Sequence, residues 1–204
     1  MRLRLSIFAF ALLLSPQRLQ AEPRSLLDRF FGRPPAPAGS SAPNPRGTSG
    51  ASGSIPLPEI YFSPKGGATQ AVVRELQSAR QSILVQAYSF TSAPIAAALV
   101  EARRRGVLIE VVLDKSNRTG KYSAADFVSH AGIPTWLDEK HAIAHNKVIV
   151  VDETTVITGS FNFTKAAEEN NAENLLIFRS SELAGLYTRN FIEHRNHAVP
   201  YTGR

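Results

Sequence analysis

The chain has 204 residues, 43% hydrophobic and 20% charged, with a formal net charge of +6 and no cysteine. This composition suits a soluble globular domain with a substantial core. It excludes thiol catalysis, disulfides and cysteine-ligated zinc. The charge is unevenly spread: residues 1–21 hold three Arg and no acid, residues 22–56 four Arg and two acids, and residues 57–204 sixteen basic against fifteen acidic side chains. The basic balance is therefore weak support for a nucleic-acid partner.

In chain order, residues 1–21 read as an export signal. MRLR is a basic start, LSIFAFALLL an apolar core, and Ala21 a plausible cleavage position. The apolar run is shorter than the roughly 20 residues that span a bilayer. This predicts a periplasmic or secreted protein with no stable membrane span once the signal is removed. Residues 22–56 read as a flexible linker, because RPPAPAGSSAPNPRGTSGASGSIPLP at 33–58 cannot bury enough apolar surface to offset its ordering entropy. SLLDRFF at 25–31 reads as part of the same tail rather than as a helical turn.

From residue 59 strands and helices alternate. EIYF (59–62) predicts a strand, 71–79 a helix, SILVQAY (82–88) a strand, and Ile95 to Ala102 a helix ending at Gly106. VLIEVVLD (107–114) predicts a strand, and RRR at 103–105 before it suits a helix C-terminus. Residues 124–131 predict a short helix capped by Ser123 and ended by Gly132, and PTWL (134–137) a strand. Residues 147–151 and 155–158 predict a hairpin around Asp152–Thr154. A short helix (165–170), a strand (174–178) and a closing amphipathic helix (182–195) follow. The alternation predicts an α/β domain over 57–204, a mixed central β-sheet flanked by helices on both faces.

The chemistry-bearing stretch is HNKVIVVD, 145–152. Val148 to Val151 suit a buried strand, so alternation puts His145 and Lys147 on one face. An imidazole beside an ammonium suits a phosphate ester: lysine neutralises the phosphoryl oxygens, and imidazole attacks phosphorus or moves a proton. In GSFNFT (159–164) Ser160 and Asn162 share a face and can donate to phosphate oxygens. The same segment looks like the start of a helix whose backbone N–H groups add phosphate contacts. Glu173, opening the next strand, could orient an imidazole through its Nδ1–H.

HNK followed by VIVVD resembles the H-x-K-x-x-x-x-D signature of the phospholipase D superfamily. GSFNF resembles that family's G-S-x-N element, and Glu173 stands where its trailing acid is expected. The resemblance covers roughly residues 57–197 and is strongest to the small single-motif bacterial members, the metal-independent endonucleases. It implies a two-step reaction through a phosphohistidine at His145, no cofactor, and a second histidine that protonates the leaving oxygen. Family sites use two motifs and this chain has one, so it implies a homodimer sharing one site, each copy giving His145, Lys147, Ser160 and Asn162. Glu173 orients His145 on this reading, and Asp152 is structural, capping a turn. The expected substrate is DNA or RNA. Two alternatives remain: a phospholipase acting on a phosphodiester lipid such as cardiolipin, and a nucleic-acid-binding module of a transfer or uptake assembly.

Other residues read less sharply. Lys115, Arg118 and Lys121 follow a strand end and could line a phosphate-binding rim or a solvated loop. Tyr88–Ser89–Phe90 could wall a pocket, and Trp136 reads as a packing residue. His141 lies four residues before His145 with Glu139 nearby, but His145 runs into a strand and Lys147 would repel a cation. No metal site is expected there, and His130, His194 and His197 read as ordinary surface or interhelical residues.

Overall fold

The computed structural model describes residues 57–204. The export signal, the 22–56 linker and the SLLDRFF segment lie outside the described residues. Strands β1 (Glu59–Ser63), β2 (Ser82–Ala87), β3 (Leu108–Asp114), β4 (Thr135–Asp138), β5 (Lys147–Val151), β6 (Thr155–Gly159), β7 (Glu173–Arg179) and β8 (Val199–Tyr201) join in one sheet, ordered β1-β7-β6-β5-β2-β3-β4-β8. The β2–β3 and β3–β4 pairings are parallel and the others antiparallel, so the sheet is mixed as expected.

Helices α1 (Ala68–Ser78), α2 (Ala93–Arg104), α3 (Ala125–His130), α4 (Lys165–Glu169) and α5 (Ser181–His197) cover both faces. Strand alternation sorts the core. Ile83, Val85, Ile149, Val151 and Ile157 pack with Leu76, Leu99 and Val128 from α1, α2 and α3. Their neighbours Leu84, Val148, Val150 and Val156 face Ala184 and Phe191 of α5. Each buried Val, Leu, Ile or Phe side chain contributes about 1.5–3 kcal/mol relative to exposure. Trp136 packs against the α5 layer with the Arg195 guanidinium 5.0 Å from its ring centroid, a packing role as expected. Of the 103–105 basic cluster, Arg105 donates to the carbonyl oxygens of Leu76 and Ala79, at the end of α1.

Two elements escaped the sequence reading. A 3-10 turn spans Lys115–Arg118, with the Asp114 carboxylate accepting from Ser116 N. Strand β8 has three residues including Pro200, which suits an edge position but gives no strand pattern. Its pairing of Val199 with Leu137 brings the end of α5 beside the end of β4.

The topology defines the functional edge. Ala87 pairs with Lys147, Val148 with Thr158, and Gly159 with Leu175. The C-terminal ends of β2 and β6 and the N-terminal ends of β5 and β7 therefore share one edge, as do the C-terminal ends of β3 and β4. No helix of the described residues is long and apolar enough to cross a membrane.

Candidate active site

His145 is exposed and immediately precedes β5, whereas Lys147, two residues on, is buried. The Lys147 Nζ donates to the His145 carbonyl oxygen at 2.9 Å. Tyr88, just past the end of β2, supplies the shared wall. Its ring centroid is 4.6 Å from that of His145, and the Lys147 ammonium lies 5.2 Å from the Tyr88 ring. The backbone holds this register, since Tyr88 N donates to Asn146 O at 2.8 Å. Burial lowers the Lys147 pKa below the usual lysine value, and the Glu173 charge only partly opposes it.

The GSFNF segment is built by alternation. Phe161 and Phe163 are fully buried in the core, which leaves Ser160 exposed and Asn162 half-buried. Ser160 Oγ donates to Glu173 Oε2 at 2.6 Å and accepts from Asn174 N at 3.1 Å. Asn171 Nδ2 donates to the other Glu173 oxygen at 3.0 Å. Gly159 makes this approach feasible: its φ is +149°, and a Cβ there would stand 2.2 Å from Asn174 O. The Asn162 Oδ1 atom is buried with no hydrogen-bond partner among the described residues. The oxygen and nitrogen of such an amide are assigned from their partners, so either end can serve an incoming ligand.

Several expectations need correction. The hydrogen bonds to the Glu173 carboxylate come from Ser160 and Asn171, not from the His145 ring. Part of the backbone N–H set expected to meet a phosphate is spent on the fold: Ser160 N and Phe161 N donate to Asn174 O, Thr164 N to Asn162 O, and Ala167 N to Thr164 Oγ1. Of the rim cations, Lys115 donates to His141 O, Arg118 pairs with Glu139, and Lys121 lies over the Tyr122 ring. The first two pin the 3-10 turn to the loop that leads to His145.

Asp152 sits at the opposite end of the sheet. Its carboxylate accepts from the backbone N–H groups of Arg80, Gln81 and Ser82 at 2.8–2.9 Å. Asp152 and Glu153 both have positive φ, and Thr154 N donates to Val151 O. This is a tight hairpin turn of the primed type, tied by one side chain to the start of β2.

The sequence reading missed one cluster outright. His194 and His197 are not ordinary interhelical residues. With His141 they converge on Asp138, their ring nitrogens 2.9 Å (His141 Nδ1), 2.8 Å (His194 Nδ1) and 3.1 Å (His197 Nε2) from its Oδ2. The legible signals were D-x-x-H at 138–141 and H-x-x-H at 194–197, but 52 intervening residues hid their meeting. Burial alone would raise the Asp138 carboxyl, yet the three imidazole contacts outweigh it and hold it well below the usual carboxylate range.

Residues 72–195 match the family described as "Cardiolipin synthase, PLD-like domain". A protein named phospholipase D from Rickettsia bellii is 41% identical over 134 residues, 66% of this chain and 67% of its own length. A mitochondrial cardiolipin hydrolase from Mus musculus is 31% identical over 72% of this chain and 63% of its own. Among solved structures, a phospholipase D family member, Nuc from Salmonella typhimurium, superposes with a TM-score of 0.69 at 40% identity, covering 71% of this chain and 97% of that one.

Proposed function

The chain belongs to the phospholipase D superfamily, and we propose that within it this protein is a metal-independent phosphodiesterase that cuts DNA or RNA internally. The observation that carries the reading is the sheet edge itself. An exposed imidazole stands beside a buried ammonium, with the Ser160–Glu173 pair on the neighbouring strands and an unpartnered Asn162 amide atom.

In the first step a His145 ring nitrogen attacks phosphorus, and the P–N bond forms as the ester P–O bond breaks. Lys147 neutralises the equatorial oxygens, and its burial strengthens that interaction. The leaving oxygen takes a proton from a second imidazole. In the second step water attacks the phosphohistidine, that same imidazole accepts the water's proton, and the phosphomonoester leaves.

The second imidazole comes from a second copy of the chain. Of the five histidines in the sequence, His141, His194 and His197 surround Asp138, and His130 lies against Gly203 at the far end of α3. A twofold pair presenting two His145 rings to one phosphorus supplies both roles.

The substrate preference rests on access. His145 is exposed at the sheet edge, open to a passing polymer. The lipid reading is the alternative because relatives carry the names phospholipase D and mitochondrial cardiolipin hydrolase.

The test incubates purified protein with plasmid and with cardiolipin vesicles, each with and without chelator. Plasmid nicking that disappears in His145→Ala supports the nuclease; lipid hydrolysis alone moves the assignment to the lipase. Binding without turnover of either substrate removes the enzyme reading. Full activity in a sedimenting monomer removes the shared site.

A further inference from the structure

We propose that Asp138, His141, His194 and His197 bind one Zn2+ ion, which clamps the loop carrying His145 to the C-terminal end of α5. The proposal does not depend on the substrate reading, because the ion takes no part in the reaction.

The donor atoms, one from each of the four residues, all lie within 4.8 Å of one another. Four ligands at about 2.0–2.1 Å in a tetrahedron stand roughly 3.3 Å apart. The three nitrogens here are 2.8–3.1 Å from Asp138 Oδ2. Rotation of the three imidazoles about their side-chain bonds, moving donor atoms by up to about an ångström, brings the set from within 4.8 Å to tetrahedral spacing.

Hydrogen bonding alone explains the arrangement poorly. The other carboxylate oxygen already accepts from Lys140 N and His141 N at 3.1 and 3.2 Å. Three imidazole donors on the remaining oxygen exceed its usual two lone-pair positions. With the rings turned to their other tautomers, three nitrogen lone pairs and a carboxylate oxygen surround one point. The two backbone bonds to Oδ1 then orient the carboxylate as an outer shell does at metal sites.

The surroundings favour a cation. Asp138 is fully buried, while the His194 and His197 side chains are 15% and 22% exposed, so the site is shielded but reachable. His194 and His197 are three apart in the last turn of α5, which places both rings on one face near the negative end of the helix dipole. Arg195, in the same turn, points instead to Trp136 and Glu110. Three nitrogens and one oxygen with no sulfur suit Zn2+, whereas Ca2+ and Mg2+ prefer all-oxygen sites. Four protein ligands leave no open position, the mark of a structural rather than a catalytic zinc.

The location gives the ion its task. From β5 to β4 the sheet runs β5-β2-β3-β4, about 14 Å of sheet width. The chain from Asp138 to Lys147 bridges that distance along the edge and carries His145. An ion at Asp138 fixes the root of this loop.

The test uses the full chain without a polyhistidine tag, stripped with chelator and titrated with Zn2+. Expected are one ion per chain by elemental analysis, the intense visible bands of a tetrahedral site with Co2+, and a rise in Tm of about 5–10 °C with excess Zn2+. His194→Gln keeps an N–H donor for Asp138 but is a poor ligand; its Zn2+ affinity should fall at least about 100-fold. His141→Gln, on the half-exposed loop, gives the same reading if the helix variant does not fold. Wild-type protein that takes up no ion overturns the proposal. So does equal uptake by wild type and the variants, which places the ion elsewhere.

Discussion

The β5–β6 hairpin carries chemistry-bearing side chains at both ends and uses them in opposite ways. At the turn, every acceptor position that matters on Asp152 is filled by a backbone N–H of the α1–β2 connection. At the open end, the His145 ring is exposed, Lys147 is buried with a carbonyl and an aromatic face for company, and an Asn162 amide atom has no partner. One end spends its polar groups on the fold. The other withholds them, at a cost in stability that only a ligand offsets. The H-x-K-x-x-x-x-D spacing is thus two devices on one strand pair.

Substitutions separate the two. His145→Ala removes the nucleophile and should lower phosphodiesterase turnover by on the order of 10^4 or more with little change in Tm, since among the described residues the exposed ring has a contact with Tyr88 but no hydrogen bond to the fold. Retained turnover would detach the chemistry from this end of the hairpin. Lys147→Met removes charge but keeps length. It should cost on the order of 10^2–10^3 in turnover, while Tm holds or rises because a buried ammonium no longer has to be desolvated. A fall in Tm would mean that Lys147 belongs with the structural end.

Asp152→Ala should do the reverse. Losing an ionised acceptor for three N–H groups costs about 2–3 kcal/mol, visible as a lower denaturant midpoint, while turnover per folded molecule at low temperature stays near wild type. Comparable loss of turnover and stability would erase the contrast.

This division explains what the sequence could and could not reveal. Continuous apolar runs such as VIVV located β2, β3, β5 and β6, because two buried faces demand them, and strand periodicity placed His145 and Lys147 at one strand end. The turn role of Asp152 was legible because an acidic residue between two β-branched strands has few other uses. The partner of Glu173 was not legible. Position in the motif suggested His145, but the approach of β6 to β7 at Gly159 delivers Ser160 to the carboxylate first. Nor was the Asp138 cluster, because it depends on β8, whose Pro-containing three residues draw the end of α5 to β4. Local pattern reports what a segment prefers, and both misses concern segments joined by tertiary pairing.

The pH dependence probes the open end more gently. Turnover needs the Lys147 ammonium, and burial lowers its pKa below that of a free lysine. The alkaline limb of activity should therefore fall below about pH 10.4. In the window between the folded and unfolded values, the unfolded chain binds the extra proton, so Lys147's own contribution to stability rises with pH. Activity lost there while this contribution grows is ionisation and not unfolding; a limb matching a free lysine would show that Lys147 is not desolvated in the working enzyme.

Glu173→Gln is the finest cut. Gln Oε1 can still accept from Ser160, and the Asn171 amide must turn its oxygen toward the new Gln NH2, while the charge goes. The Glu173 charge opposes the effect of burial on Lys147. Its removal should move the alkaline limb to still lower pH, with turnover near neutrality changed far less than by Lys147→Met. If the limb stays put and turnover collapses instead, Glu173 acts on the imidazole itself, as the motif position suggests. Its hydrogen bond to Ser160 would then be exchanged for one to His145 when substrate arrives.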